Sequence, residues 1–219
     1  MNATGKLMTV VLLVSLSHQG FADELYSIGF GKSASSWGVV SKSIFDVHGI
    51  PKPAIEKVKK IFEAGGAIRG FGFTPDGGWG LTYYKQDRER LYWTASQVPQ
   101  SAIDYMKKSS QNGASILDMA FGPNNSWFVL TRKNDTNIWR YKGIPVDLAN
   151  KLDTFSGGDR ILQGVGITSQ SGWAVISKSK SGSYSCLYKG IPQSAVNKLH
   201  VILDSNDDEI IDPDDFDFR

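Results

Sequence analysis

The chain has 219 residues, a formal net charge of +2 and one cysteine, a size that holds one medium domain with its own core. A single thiol excludes an intrachain disulfide framework, so burial alone must hold the fold. No Cys/His cluster, G-x-S-x-G elbow, phosphate-cradling glycine loop or H-E-x-x-H motif occurs, which removes the usual signatures of metal, esterase and nucleotide chemistry.

In chain order, the first element is a leader. Lys6 is the only charged side chain before Asp23, "LMTVVLLVSL" is apolar but too short to span a bilayer, and "GFA" offers small residues before a cut after Ala22. Residues 1–22 therefore read as a signal peptide, and the protein is expected to be secreted or periplasmic. No later stretch is apolar enough for a transmembrane segment.

Residues 23–203 carry four copies of one unit. "GIP" begins at Gly49, Gly143 and Gly190, with "QVP" at Gln97 filling the gap, so the marker recurs every 46 to 48 residues. A second marker, a small or polar residue followed by Trp and a β-prone run, falls at Trp37, Trp79, Trp127 and Trp173. Two markers of nearly one period define a repeat protein.

Within each unit an apolar first strand is predicted at 26–30, 68–73, 116–121 and 162–167, followed by a Gly/Pro/Asn/Asp/Ser turn and the Trp strand. Third strands are predicted at 43–47, 91–95, 137–141 and 184–188, the last holding the sole cysteine, Cys186. A helix then opens at each "GIP", with Pro at its entrance and Ser101 and Ser194 as expected N-caps, Asp104 completing a capping box.

The expected fold is mainly β with short helices: four strand–strand–strand–helix repeats of about 47 residues, forming a small four-bladed β-propeller or, alternatively, an open β-repeat array. In plan this resembles the hemopexin propeller. The "GGW" and "GIP" motifs also resemble repeat arrays of uncharacterised secreted bacterial proteins over residues 25 to about 203, which implies a secreted β-repeat module. The four Trp residues are expected to fill equivalent positions between neighbouring sheets.

Candidate recognition residues lie on the third strands. Tyr92, Trp93, Trp139 and Arg140 are aromatic or cationic on strands that a propeller leaves partly exposed, suited to stacking on a sugar or gripping a protein. Asp118, Gln163 and Arg69 lie on first strands, where converging repeats would gather them into a hub.

The last segment, 204–219, is acidic: eight Asp and Glu against Arg219, while the body between Asp23 and Leu203 holds 22 Lys and Arg against 14 Asp and Glu. The basic body offers a surface for polyanions, and the tail a competitor for it. Basic residues without a recognition motif do not predict nucleic-acid binding.

"DSNDDEIIDPDD" also follows a calcium loop, with Asp204, Asn206, Asp208, the Ile210 carbonyl and Asp212 at the ligand positions. Asp215 stands in place of the closing Glu, and Glu209 where the loop needs Gly. Calcium is thus the one possible cofactor, and an edge strand at 216–218 the competing expectation. The leading functional expectation is a non-catalytic module that binds an extracellular polysaccharide or protein. A hydrolase with its site at the hub and a calcium-stiffened scaffold are the alternatives.

Overall fold

Each repeat folds into a three-stranded antiparallel sheet followed by a helix. The computed structural model describes residues 24–33, 35–42, 44–155 and 158–203, together with the backbone of a further strand at Glu209–Ile211. The first unit comprises β1 (Leu25–Phe30), β2 (Trp37–Ser41), β3 (Phe45–His48) and α1 (Lys52–Glu63). The second comprises β4 (Ala67–Phe73), β5 (Trp79–Tyr84), β6 (Leu91–Ser96) and α2 (Gln100–Gln111). The third holds β7 (Ser115–Phe121), β8 (Trp127–Lys133), β9 (Thr136–Lys142) and α3 (Val146–Asp153). The fourth holds β10 (Arg160–Ile167), β11 (Trp173–Ser179), β12 (Tyr184–Lys189) and α4 (Gln193–Leu203). Predicted and observed strands agree to within two residues at either end.

The four first strands surround one axis, β1 lying beside β4 and β10, and β7 beside the same two. The sheets therefore close into a four-bladed propeller, not an open array. Between successive blades lies an apolar wedge roofed by the linking helix. Ala54, Val58 and Ile61 of α1 pack between Val40 and Val47 of the first blade and Phe71 and Leu81 of the second. α2 contributes Ala102 and Met106 to the next wedge, and α3 contributes Leu148 and Leu152 to the one after. The last wedge joins the first and last repeats: Ala195, Leu199 and Ile202 of α4 meet Ile176 and Cys186 of the fourth blade and Leu25, Ile28 and Val39 of the first. Burial pushes the Cys186 thiol up to about 12, so it packs as a small apolar group.

The repeated residues now have physical reasons. Gly49, Gly143 and Gly190 lie at φ of +57°, +64° and +61°, the left-handed region that turns the third strand into its helix. Gln97 adopts +56° at the same place, so "QVP" keeps the geometry at a steric cost. The following Pro carbonyls (Pro51, Pro99, Pro145, Pro192) each accept a first-turn N–H.

These prolines take the N-cap position in the first three helices, with no side-chain cap, which corrects the expected capping by Ser101. Ser194 likewise lies within α4. Instead, the Trp127 indole donates to Ser101 Oγ and the Trp37 indole to Ser194 Oγ, both at 2.9 Å. Asp104 accepts from the Gln100 amide and closes no capping box.

Trp127 and Trp37 thus sit against the first turn of the helix that precedes their own blades around the ring. Trp37, Trp127 and Trp173 are buried between blades, as expected, and Trp79 is half-buried. α1 has Pro53 where α2 and α4 have Ser101 and Ser194, so its side chain there supplies no acceptor.

β13 (Glu209–Ile211) adds to the fourth sheet, pairing in parallel with the outer strand β12. The first three outer strands have no such addition among the described residues. The predicted leader (1–22) and the predicted edge strand (216–218) lie outside the described residues.

Candidate functional site

Two places gather polar chemistry, the axis and a cleft on the second blade. At the axis, all four first strands carry a β-bulge at the same point, with Tyr26, Arg69, Leu117 and Gln163 as the extra residues. The next positions inward are Ser27, Gly70, Asp118 and Gly164. Asp118 has no exposed surface. Its Oδ1 accepts from Ser27 Oγ at 2.8 Å and its Oδ2 from the Val165 N–H at 2.9 Å. A Cβ on Gly70 would lie 2.6 Å from Oδ1, and one on Gly164 2.8 Å from Oδ2, so the two glycines make room for the carboxylate.

Arg69 is 6% exposed and Gln163 7%. The guanidinium donates to the Tyr26 carbonyl at 3.0 Å and to Gln163 Oε1 at 3.3 Å, and lies 4.5 Å over the Tyr26 ring. Burial raises the Asp118 carboxyl to about 7, against the pull of Ser27, the Val165 N–H and the Arg69 charge. Burial likewise lowers the Arg69 guanidinium from its ordinary value, partly offset by Asp118 and Tyr26.

The structure therefore brings together Asp118, Arg69 and Gln163, the three residues expected at the hub, and adds Ser27. Both carboxylate oxygens are occupied from within, so the cluster pins four strands together and presents no free face to a substrate.

The cleft is open. It lies between the C-terminal half of α1 and the β5–β6 hairpin, with a volume of about 620 Å³, within the range of small-ligand sites. Ile61, Ala64 and Gly66 form an apolar floor beside Tyr83 and Tyr84. Lys57, Lys60 and Lys85 rim it with Gln86 and Asp87.

The aromatic residues organise these cations. Lys57 Nζ lies 6.0 Å from the Tyr83 ring centre, Tyr83 stacks on Tyr92 at 5.9 Å, and Lys85 Nζ sits 4.2 Å over Tyr92. Arg90 is 5.6 Å from the same ring. Among the described residues no carboxylate forms an ion pair with Lys57, Lys60, Lys85 or Arg90.

Of the recognition residues expected from sequence, Tyr92 joins this assembly by supporting Lys85. Trp93 faces the other side of β6, its indole donating to Ser110 Oγ of α2 at 2.9 Å, and packs on that helix. Trp139 packs against the wedge between the third and fourth blades, and Arg140, the next residue along β9, is exposed. The four do not converge on one surface.

Lys57, Lys60 and Lys85 were not singled out as ligand residues by sequence. They are contributed by a helix and by a hairpin turn some 25 residues apart, and the "KVKK" run at 57–60 reads from sequence as a solvated helix face. Of the calcium residues, Asp204, Asn206, Asp208, Asp212 and Asp215 lie outside the described residues, while the Ile210 backbone pairs with Cys186 in the β12–β13 ladder. Among the described residues no group of three or more His, Cys, Asp or Glu could hold a metal. No helix there is long and apolar enough to cross a membrane.

Fold and cleft together define a four-bladed propeller with a cationic, aromatic-supported cleft on one blade. No family model, curated protein or solved structure matches the chain.

Proposed function

We propose that this protein is an extracytoplasmic, non-catalytic binding module that recognises a polysaccharide or protein partner through the second-blade cleft. The observation that carries the reading is the divergence of one blade from the others. The repeat gives every blade the same helix, hairpin and wedge, and the second has opened its helix–hairpin junction and lined it with three lysines that have no carboxylate partner among the described residues. Lys57 and Lys85, held by Tyr83 and Tyr92, lose little freedom when a partner arrives, which favours recognition. The extracytoplasmic location rests on the leader at residues 1–22.

A blocking substitution tests the site. Ala64 lies on the floor near the end of α1, is exposed, and has ordinary negative φ, so Ala64→Trp fills the cleft without touching a wedge. Purified cell-surface polysaccharides and envelope proteins are presented to immobilised wild-type protein and to the variant. The expected result is a retained component that Ala64→Trp releases at unchanged melting temperature. Equal retention by both proteins places recognition elsewhere.

A further inference from the structure

Resting on the reading just given, we infer that the cleft takes an acidic saccharide chain, whose carboxylate or sulfate groups meet Lys57, Lys60 and Lys85 while its hydroxyls meet Gln86 and Asp87. The fourth blade supplies the comparison that points to an anion. At the equivalent junction, between the end of α3 and the start of β10, lies a smaller cleft of about 180 Å³ lined by Lys151, Asp159, Arg160 and Ser177. There the cations are engaged within the protein. Arg160 donates to Ser177 Oγ at 2.9 Å and to the Ser183 carbonyl at 3.3 Å, and the neighbouring Lys180 pairs with Asp159 at 2.7 Å.

In the second blade the same junction is wider, Lys57 and Lys85 are supported by Tyr83 and Tyr92, and among the described residues none of the three lysines is ion-paired to a carboxylate. Like charges gathered in one cleft repel one another, so such a cluster is favourable when an external anion completes it.

The rest of the lining separates an acidic saccharide from a nucleic acid. Asp87 stands among the lysines, with Glu89 close by on the same turn, where its N–H donates to Asp87 Oδ1 at 3.3 Å. A phosphate backbone, which has no hydrogen-bond donor, meets only repulsion at that carboxylate. A saccharide chain brings hydroxyls that donate to it, beside the Gln86 amide. The ring faces of Tyr83 and Tyr92 are taken up by each other and by Lys57 and Lys85, so they orient cations and offer no platform for bases to stack on.

Four probes test the inference on the full-length protein: polygalacturonate, heparin, neutral dextran and single-stranded DNA, each titrated at low and at high salt. The expected outcome is binding to polygalacturonate or heparin that weakens with salt. Lys60→Gln and Lys85→Gln are each expected to raise Kd about two- to five-fold, with melting temperature unchanged. The two acidic polymers also distinguish carboxylate from sulfate recognition.

Retention of dextran alone, still abolished by Ala64→Trp, would overturn the acidic assignment and leave the binding-module reading standing. DNA bound as tightly as the acidic polymers, with the same lysine dependence, would overturn the saccharide assignment. Acidic-polymer binding indifferent to both lysine substitutions would remove this cleft as its site. No binding to any probe, together with equal retention by Ala64→Trp of whatever the wild type retains, would overturn both inference and reading.

Discussion

Asp118 shows how one side chain couples an axis to the solution outside it. Its carboxyl ionises near 3.8 in the unfolded chain and near 7 in the folded one, because burial penalises the charged form more than its hydrogen bonds favour it. Between those values the folded state holds a proton that the unfolded state has released. The unfolded state binding fewer protons, unfolding free energy falls as pH rises through this window, by at most about 1.4 kcal/mol per pH unit, and levels off above 7.

Asp118→Asn keeps an oxygen for one of the two donors and cannot ionise. Denaturant titrations at pH 4.5, 5.5, 6.5 and 7.5 are expected to show a declining stability for wild type and a flatter profile for the variant. Parallel profiles would mean that Asp118 ionises near its usual value, stabilised by Arg69 more strongly than burial opposes it.

At the scale of the elements, the unit was legible in the sequence because its markers answer local demands. Gly in "GIP" meets a left-handed turn, and the strand runs alternate with turn residues at one period. Contacts between elements were less legible. Ser101 near a helix start reads as a cap, but Pro99 already occupies that position, and the hydroxyl turns to an indole 26 residues away. Nothing in spacing reveals which acceptor a first-turn serine serves.

The hub was legible in part, since Asp118, Arg69 and Gln163 are polar residues on otherwise apolar first strands. The glycines that admit the carboxylate gain meaning only when the strands meet. The cleft was least legible, its lysines being ordinary surface residues until α1 and the β5–β6 hairpin come together.

The serine–tryptophan contact has a testable sign. Alanine is the better helix former, so Ser101→Ala would stabilise α2 slightly if the hydroxyl had no partner. Because it accepts from the part-buried Trp127 indole, the substitution is expected to cost about 1 kcal/mol in equilibrium denaturation. A gain in stability would show that water replaces the serine without loss.

Across the whole molecule, stability depends on four seams, and the one between the fourth and first blades is unlike the rest because, among the described residues, no chain segment links the two blades across it. Where the other wedges join blades already tethered by a helix link, this one is made when α4 folds back against the first blade. Beyond its apolar wedge it carries the Trp37–Ser194 hydrogen bond and a Lys198–Asp46 ion pair at 2.9 Å, with His48 Nε2 3.1 Å from the same aspartate and its ring tilted 35° against Trp37 at 4.4 Å.

A three-stranded blade cannot cover both its faces alone, so opening the closing seam exposes two blades at once. Leu199 of α4 and Leu148 of α3 are both fully buried at matching seams. Leu199→Ala and Leu148→Ala are each expected to lower unfolding free energy by about 2–5 kcal/mol. If the ring is one cooperative unit, both variants retain a single calorimetric transition whose calorimetric and van't Hoff enthalpies agree. A second, lower transition confined to Leu199→Ala would mean that the closing seam opens on its own, leaving four blades in a row held by the other three seams.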